Sequence, residues 1–147
     1  MNKLEKIATD YLNQNKQQFL NEYTNEIQDT DEKIAIFTAG MSGVGKTELG
    51  IFFKENNPDI LHIDTDNIRE FFKPVGYDGQ NSDVFQKVAS RGCNGLFNYT
   101  LKKGYSIILD SNLSNVNLAI QNIERLAKRG YNIHIYYLYN YPKVCFE

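Results

Sequence analysis

The sequence predicts an α/β fold in which a parallel sheet of about four strands carries helices on both faces, preceded by an N-terminal helical segment. Three observations lead to this prediction. Four short, continuous apolar runs have the length of buried strands. Stretches with helical periodicity separate them, and a glycine-rich segment joins the first run to the helix after it. Strands that alternate with helices along a chain form parallel sheets.

Residues 1–32 are predicted to form an amphipathic helical segment. Apolar side chains recur there at helical intervals, on one helix or on two helices broken near Asn13–Asn15. The segment carries three basic and seven acidic residues. We expect the apolar stripe to pack as an ordinary core helix; the alternative is that it docks a second subunit. The stripe comprises Leu4, Ile7, Ala8, Tyr11, Leu12, Phe19, Leu20, Tyr23 and Ile27.

Residues 33–147 alternate between strand and helix patterns and are predicted to form the main domain. All four apolar runs are expected to be strands buried on both faces. They are Ile34–Ala39, Ile60–Ile63, Tyr105–Leu109 and Ile133–Tyr139. The helical stretches are Lys46–Glu55, Asp66–Lys73, Asp83–Lys103 and Val116–Ala127. Lys128, Arg129 and Gly130 then end the last helix, as basic residues followed by glycine commonly do.

Composition excludes several classes of protein. The chain has 147 residues, 41% of them hydrophobic, which is enough for a core. Its net charge of −2 argues against a protein that coats nucleic acid or an anionic membrane. No apolar run approaches the ~20 residues that cross a bilayer, and the first residues do not resemble a signal peptide. Cys93 and Cys145 lack metal-binding spacing, so we expect reduced thiols in a cytoplasmic protein.

The glycine-rich segment Gly40-Met41-Ser42-Gly43-Val44-Gly45-Lys46-Thr47 matches the pattern G-x-x-x-x-G-K-[ST] at every fixed position. Glycines let the backbone wrap around a phosphate with its N–H groups pointing inward. Lys46 is then expected to reach the β- and γ-phosphates, and the Thr47 hydroxyl to hold Mg²⁺. The alternative is a plain glycine-rich turn, but the strand before and the helix after favour a P-loop of the NTPase type. The loop therefore predicts a site for nucleotide phosphates, with ATP or GTP as the candidate nucleotides.

Acidic residues follow two of the predicted strands. Asp64 and Asp66 come after the second strand, and Asp110 ends the third in the form of a Walker B acid. Ligands of open α/β sheets collect at these strand ends, where a carboxylate can hold Mg²⁺ or accept a proton. One of the pair 64/66 is also expected to cap the next helix. Arg69, on that helix, either meets an anionic substrate or lies on a solvated face.

From about residue 33 onward the sequence resembles the zeta-toxin family of P-loop kinases. The ordered combination of the P-loop, a D-x-D step and a D-S-x-L-S step is more specific than the P-loop alone. The residues that carry the resemblance are Ala39–Thr47, Ile63–Asp66, Ile68–Glu70, Gly76-Tyr77, Gly104–Ser114, Asn122–Arg125, Arg129–Tyr131, Tyr136–Tyr139 and Pro142.

The resemblance implies a toxin of a bacterial toxin–antitoxin pair. It implies an ATP- and Mg²⁺-dependent kinase that phosphorylates a hydroxyl of a nucleotide sugar such as UDP-N-acetylglucosamine. Lys46 would bind ATP, and Asp66 would be the base that deprotonates the sugar hydroxyl. Asp110 would take the place of an acidic substrate-site residue, where the characterised toxins have Glu, and Asn112 would be a neighbouring polar contact. From their position after the second strand, Asp64 and Arg69 are also expected to contact the substrate. An antitoxin would be the protein partner, and the N-terminal stripe is one place for it to dock.

Two departures from the family keep alternatives open. The family's substrate-site Glu falls near Asn94 or Gly95, neither of which is acidic, and the family's arginine-bearing segment lies beyond Glu147. We therefore expect the kinase-like domain to be incomplete at its C-terminus. The alternative functions are a kinase of another small metabolite and a weakly active nucleotide-binding protein that acts through protein association.

Overall fold

The computed structural model describes residues 1–41, 43–110 and 115–140, which form two compact units. Unit 1 comprises Met1–Asn25 and Ile63–Tyr99, and unit 2 comprises Glu26–His62 and Thr100–Glu147. The boundary at residue 32 stays a prediction. None of the described helices is long and apolar enough to cross a bilayer.

The sheet confirms the predicted α/β class. Its strands are β1 (Ile34–Ala39), β2 (Leu61–Ile63), β3 (Ile107–Asp110) and β4 (Asn132–Tyr137). They lie side by side in the order β2-β3-β1-β4, and β1 runs parallel to both of its neighbours. Chain order and spatial order differ because each strand returns to the sheet through a crossover connection, as parallel pairing requires.

Within the described ranges, six α-helices and one 3₁₀ helix accompany the sheet. The α-helices are α1 (Lys3–Gln14), α2 (Lys16–Thr24), α3 (Lys46–Asn56), α4 (Thr65–Arg69), α5 (Ser82–Lys103) and α6 (Val116–Lys128). The 3₁₀ helix spans Glu70–Val75. In unit 2, α3 contacts β1 and β3, whereas α6 contacts β4.

The predicted burial of the fourth strand is wrong. Strand β1 is almost entirely buried, but β4 leaves most of its side chains exposed, including Ile135 and Tyr137. The reason is position: β4 lies at the edge of the described sheet. A run of isoleucine and tyrosine suits a half-buried pleated surface as well as a central strand, so its composition does not locate it within the sheet.

In unit 1 the N-terminal segment packs as core helices. The break predicted near Asn13–Asn15 is present, because α1 ends at Gln14 and α2 begins at Lys16. Phe19 of α2 is 2% exposed, and its ring lies edge-on to that of Phe71, with the ring centres 5.0 Å apart. Aromatic contacts of this kind add to the free energy gained from apolar burial.

Candidate functional site

The sheet topology indicates a ligand site at the carboxyl ends of strands β1 and β3. The chain leaves β1 toward β2 through α3, and it leaves β3 toward β4 through α6. The connections that follow these two neighbouring strands therefore run in opposite directions, and open α/β sheets bind ligands where the strand order reverses in this way. Thr38 of β1 pairs in register with Asp110 of β3. Asp110 therefore lies at the same end of the sheet as the glycine-rich segment, which follows β1.

The segment after β1 adopts a backbone that depends on its glycines. Gly40, Gly43 and Gly45 have φ angles of 145°, 80° and 105°. A Cβ atom on Gly40 would lie 2.5 Å from the backbone oxygen of Leu138, a distance that real Cβ atoms do not show. The turn therefore needs glycine for both its torsion angles and its packing. Ser42 lies outside the described residues.

Among the described residues, no side-chain cap is present at the amide groups that begin helix α3. Its N-cap residue is Gly45, which offers no side-chain acceptor to the first turn. The Lys46 ammonium donates a hydrogen bond of 2.7 Å to the Gly40 carbonyl oxygen and so lies back across the loop. A helix N-terminus with open amides and an adjacent ammonium fits a phosphate group. Thr47, the second residue of α3, is exposed and offers a hydroxyl of the type that holds Mg²⁺ in P-loops.

Asp110 is held by two partners on neighbouring strands. The Thr38 hydroxyl donates to Asp110 Oδ1 at 2.5 Å, and His62 Nε2 lies 2.7 Å from Asp110 Oδ2. The side chains of Asp110 and His62 are 11% and 14% exposed. Both carboxylate oxygens are thus engaged within unit 2, and the fold fixes the orientation of the group. Asn112, the other residue predicted at this strand end, lies outside the described residues.

Helix α3 approaches this cluster through Gly50. A Cβ atom built on Gly50 would lie 2.6 Å from His62 Nε2 and 3.2 Å from Asp110 Oδ1. Glycine in a helix interior costs about 1 kcal/mol relative to alanine. The close approach of α3 to the His62–Asp110 pair is the reason that a glycine stands there.

Gly50→Ala is expected to lower the free energy of unfolding by about 1–2 kcal/mol, although alanine favours the helix. The added methyl must displace the His62 ring and thereby break its hydrogen bond to Asp110. Thermal unfolding followed by circular dichroism measures the effect.

Gly95→Ala is the matched control, because it is also a glycine-to-alanine change inside a helix. A Cβ atom at Gly95 meets nothing within 4 Å, so we expect a gain of about 0.5–1 kcal/mol there. Equal stabilisation by both substitutions would contradict the close approach at Gly50.

In unit 1 the D-x-D step begins helix α4. Asp64 is the N-cap residue, and its Oδ1 accepts a hydrogen bond of 3.0 Å from the Asp66 backbone N–H. This confirms the prediction that one of the two acids caps the helix. Asp66 itself is exposed over 76% of its side chain, so its carboxylate is open to a ligand.

Arg69 holds the Asp66 carboxylate in place. Its Nη1 donates to Asp66 Oδ1 at 2.5 Å, and its Nη2 donates to Gln86 Oε1 on α5. The Arg69 side chain is 14% exposed, so it does not lie on a solvated helix face. Its Nε is buried and has no hydrogen-bond partner among the described residues. A buried guanidinium fixed by Gln86 orients one oxygen of Asp66 and leaves the other accessible.

Cys93 is a packed side chain of α5. Its Sγ lies 3.3 Å from the Thr65 hydroxyl, and burial raises the pKa of the thiol. A raised pKa lowers the fraction of reactive thiolate.

The structure divides the predicted site residues between the two units. Unit 2 holds the glycine-rich segment and Asp110, and unit 1 holds Asp64, Asp66 and Arg69. Sequence reasoning missed His62 and Gln86, the partners of Asp110 and Arg69. The available signal was weak: His62 is a polar residue in an otherwise apolar strand run.

Comparison with known proteins agrees with this architecture. A family model described as "Zeta toxin" matches residues 9–147. No curated protein matches the chain. Among solved structures the chain is similar to one reported for the PezAT chromosomal toxin–antitoxin system of Streptococcus pneumoniae, with a TM-score of 0.73 and 19% identity. The match covers 99% of this chain, which spans 60% of the length of that one. The family match extends over nearly the whole chain and includes the P-loop, the D-x-D step and Asp110, so this protein belongs to the zeta toxin family.

Proposed function

We propose that this protein is an ATP-dependent kinase that transfers the γ-phosphoryl group to a hydroxyl of a nucleotide sugar such as UDP-N-acetylglucosamine. The observation that carries the proposal is the start of α3. Gly45 gives the first amides of α3 no side-chain cap, and the Lys46 ammonium lies on the Gly40 carbonyl oxygen of the same loop. This combination supports phosphate binding. Family members are kinases, which supports phosphoryl transfer as the reaction.

The phosphate groups bind to the loop Gly40–Thr47. Its inward-facing amides neutralise phosphate oxygens, and Lys46 exchanges its hydrogen bond to Gly40 for the β- and γ-phosphates. Thr47 would hold Mg²⁺ through its hydroxyl, and the bound ion would supply positive charge that offsets the charge of the phosphate groups. The loop thereby positions the γ-phosphorus and stabilises the charge that develops during transfer.

Asp66 acts as the proton acceptor. In the step, the acceptor hydroxyl oxygen forms a bond to the γ-phosphorus while the bond between that phosphorus and the β–γ bridging oxygen breaks. The hydroxyl proton passes to the Asp66 carboxylate, and ADP is the leaving group. Arg69 keeps Asp66 oriented, while exposure of the carboxylate gives the acceptor access. Asp64 and Arg69 belong to the acceptor side of the site in this proposal.

One observation favours an acceptor other than UDP-N-acetylglucosamine. Each oxygen of Asp110 already accepts one hydrogen bond, from Thr38 or from His62, which leaves this acid fewer acceptor positions for a sugar hydroxyl. A kinase of another small hydroxyl compound is therefore the second candidate. An antitoxin partner is also part of the proposal, because the similar solved structure comes from a toxin–antitoxin system.

The test is a transfer assay with γ-³²P-labelled ATP, Mg²⁺ and UDP-N-acetylglucosamine, resolved by thin-layer chromatography. We expect a labelled nucleotide sugar that forms only when Mg²⁺ is present. Calorimetric titration with ATP runs in parallel. Transfer to a different acceptor in a panel of small hydroxyl compounds would establish the second candidate. Tight ATP binding without transfer to any acceptor would contradict the kinase and support a nucleotide-binding protein.

A further inference from the structure

A cavity of about 190 Å³ opens in unit 1 among helices α1, α2 and α5. Leu12 of α1 and Phe19 of α2 give it apolar lining, and Gly92 and Gly95 contribute from α5. Apolar cavities of ~150 Å³ in proteins accept a single aromatic ring. The space is therefore large enough for one ring or a short branched chain, and too small for a helix.

The two glycines of α5 differ in their packing. A Cβ atom at Gly92 would lie 3.0 Å from Phe19 Cζ, so this glycine admits the Phe19 ring. A Cβ atom at Gly95 would meet nothing within 4 Å. Each glycine inside a helix has a cost in stability relative to alanine. Packing accounts for that cost at Gly92 but not at Gly95, whose missing side chain keeps the cavity open.

Positive charge lines the same cavity. Lys16 of α2 and Arg91 of α5 both contribute to the lining and both are exposed. No acidic residue lines it within the part of the chain that the structure describes. A ligand of matching chemistry has an apolar body for Leu12 and Phe19 and an anionic head for the two cations.

We propose that this cavity binds a small amphipathic carboxylate, with its apolar part beside Gly95 and its carboxylate between Lys16 and Arg91. The proposal does not depend on the kinase activity, because neither Lys46 nor Asp66 lines the cavity. It assigns a second ligand site to unit 1.

The probe is 4-phenylbutyrate, compared with its neutral analogue 4-phenylbutyramide. For a ligand of about 12 heavy atoms with ordinary ligand efficiency, the dissociation constant is expected to be on the order of 1 mM. Titration of ¹⁵N-labelled protein is expected to shift the amide signals of Gly92 and Gly95 saturably. The carboxylate is expected to bind several-fold more tightly than the amide, because only the carboxylate meets the two cations.

Two variants test the cavity and its charge. Gly95→Leu fills the open space and is expected to abolish the shifts without loss of thermal stability. The double substitution Lys16→Gln and Arg91→Gln is expected to weaken carboxylate binding about five-fold or more and amide binding less than about two-fold.

Lys102→Gln is the control for the loss of one charge on the same helix. It lies 11 residues beyond Arg91, about 16 Å along the helix axis and outside the screening length at physiological salt. Its carboxylate affinity should equal that of the wild type. The proposal is wrong if neither probe shifts Gly92 and Gly95 at ~5 mM, where a millimolar site would be mostly filled. It is also wrong if Gly95→Leu binds as well as the wild type.

Discussion

Lys46→Ala is expected to lower kcat/KM for ATP-dependent transfer about 10³-fold and to weaken ATP binding measurably in calorimetry. The ammonium donates to Gly40 O in the structure, and the proposed function moves it onto the β- and γ-phosphates. Its removal leaves that phosphate charge without its main side-chain cation, both in the bound ground state and in the transition state. Initial rates and calorimetric titrations measure the two effects.

Lys128→Ala is the matched control, since it removes the same charge from the exposed end of α6 in the same unit. It should leave both kcat/KM and ATP affinity within about two-fold of the wild type. Lys46→Arg keeps the charge but replaces a compact ammonium by a larger, planar guanidinium group, so most of the activity should still be lost. Unimpaired ATP binding by Lys46→Ala would exclude the loop as the phosphate site.

The first strand and its loop could be predicted closely from the sequence. Strand β1 spans Ile34–Ala39 as expected, because an apolar run that ends at Gly40 leaves little freedom for its boundary. The helix predicted over Asp66–Lys73 differs more from the structure. This stretch forms α4 and then a 3₁₀ helix. Pro74 and the positive φ of Gly76 explain this change, because proline disfavours α-helical geometry before it.

The partners of the site residues could not be predicted from local patterns. His62 and Asp110 are 48 residues apart in sequence, and Arg69 and Gln86 are 17 apart. Periodicity identifies which strand or helix a residue belongs to, but it carries no information on which side chains of different elements meet. The same limit explains the exposed edge strand β4, whose place in the sheet depends on the crossover and not on its own composition.

Asp66→Asn is expected to reduce kcat about 10²–10⁴-fold while the calorimetric affinity for ATP stays unchanged. The asparagine amide has almost the same shape, and its oxygen can still accept the hydrogen bond from Arg69 Nη1. It cannot take the proton of the acceptor hydroxyl. Because Asp66 is 76% exposed, thermal stability should not fall appreciably. Single-turnover rates with saturating ATP and acceptor isolate the chemical step.

Asp83→Asn is the matched control, because it removes one exposed carboxylate from the first turn of α5 in the same unit. It should retain the single-turnover rate of the wild type. The pair of changes at Lys46 and Asp66 then separates two roles. Loss of Lys46 should weaken nucleotide binding and transfer together, whereas loss of the Asp66 carboxylate should affect transfer alone. An Asp66→Asn protein that turns over at the wild-type rate would exclude this carboxylate as the proton acceptor, and the phosphate site at α3 would stand without it.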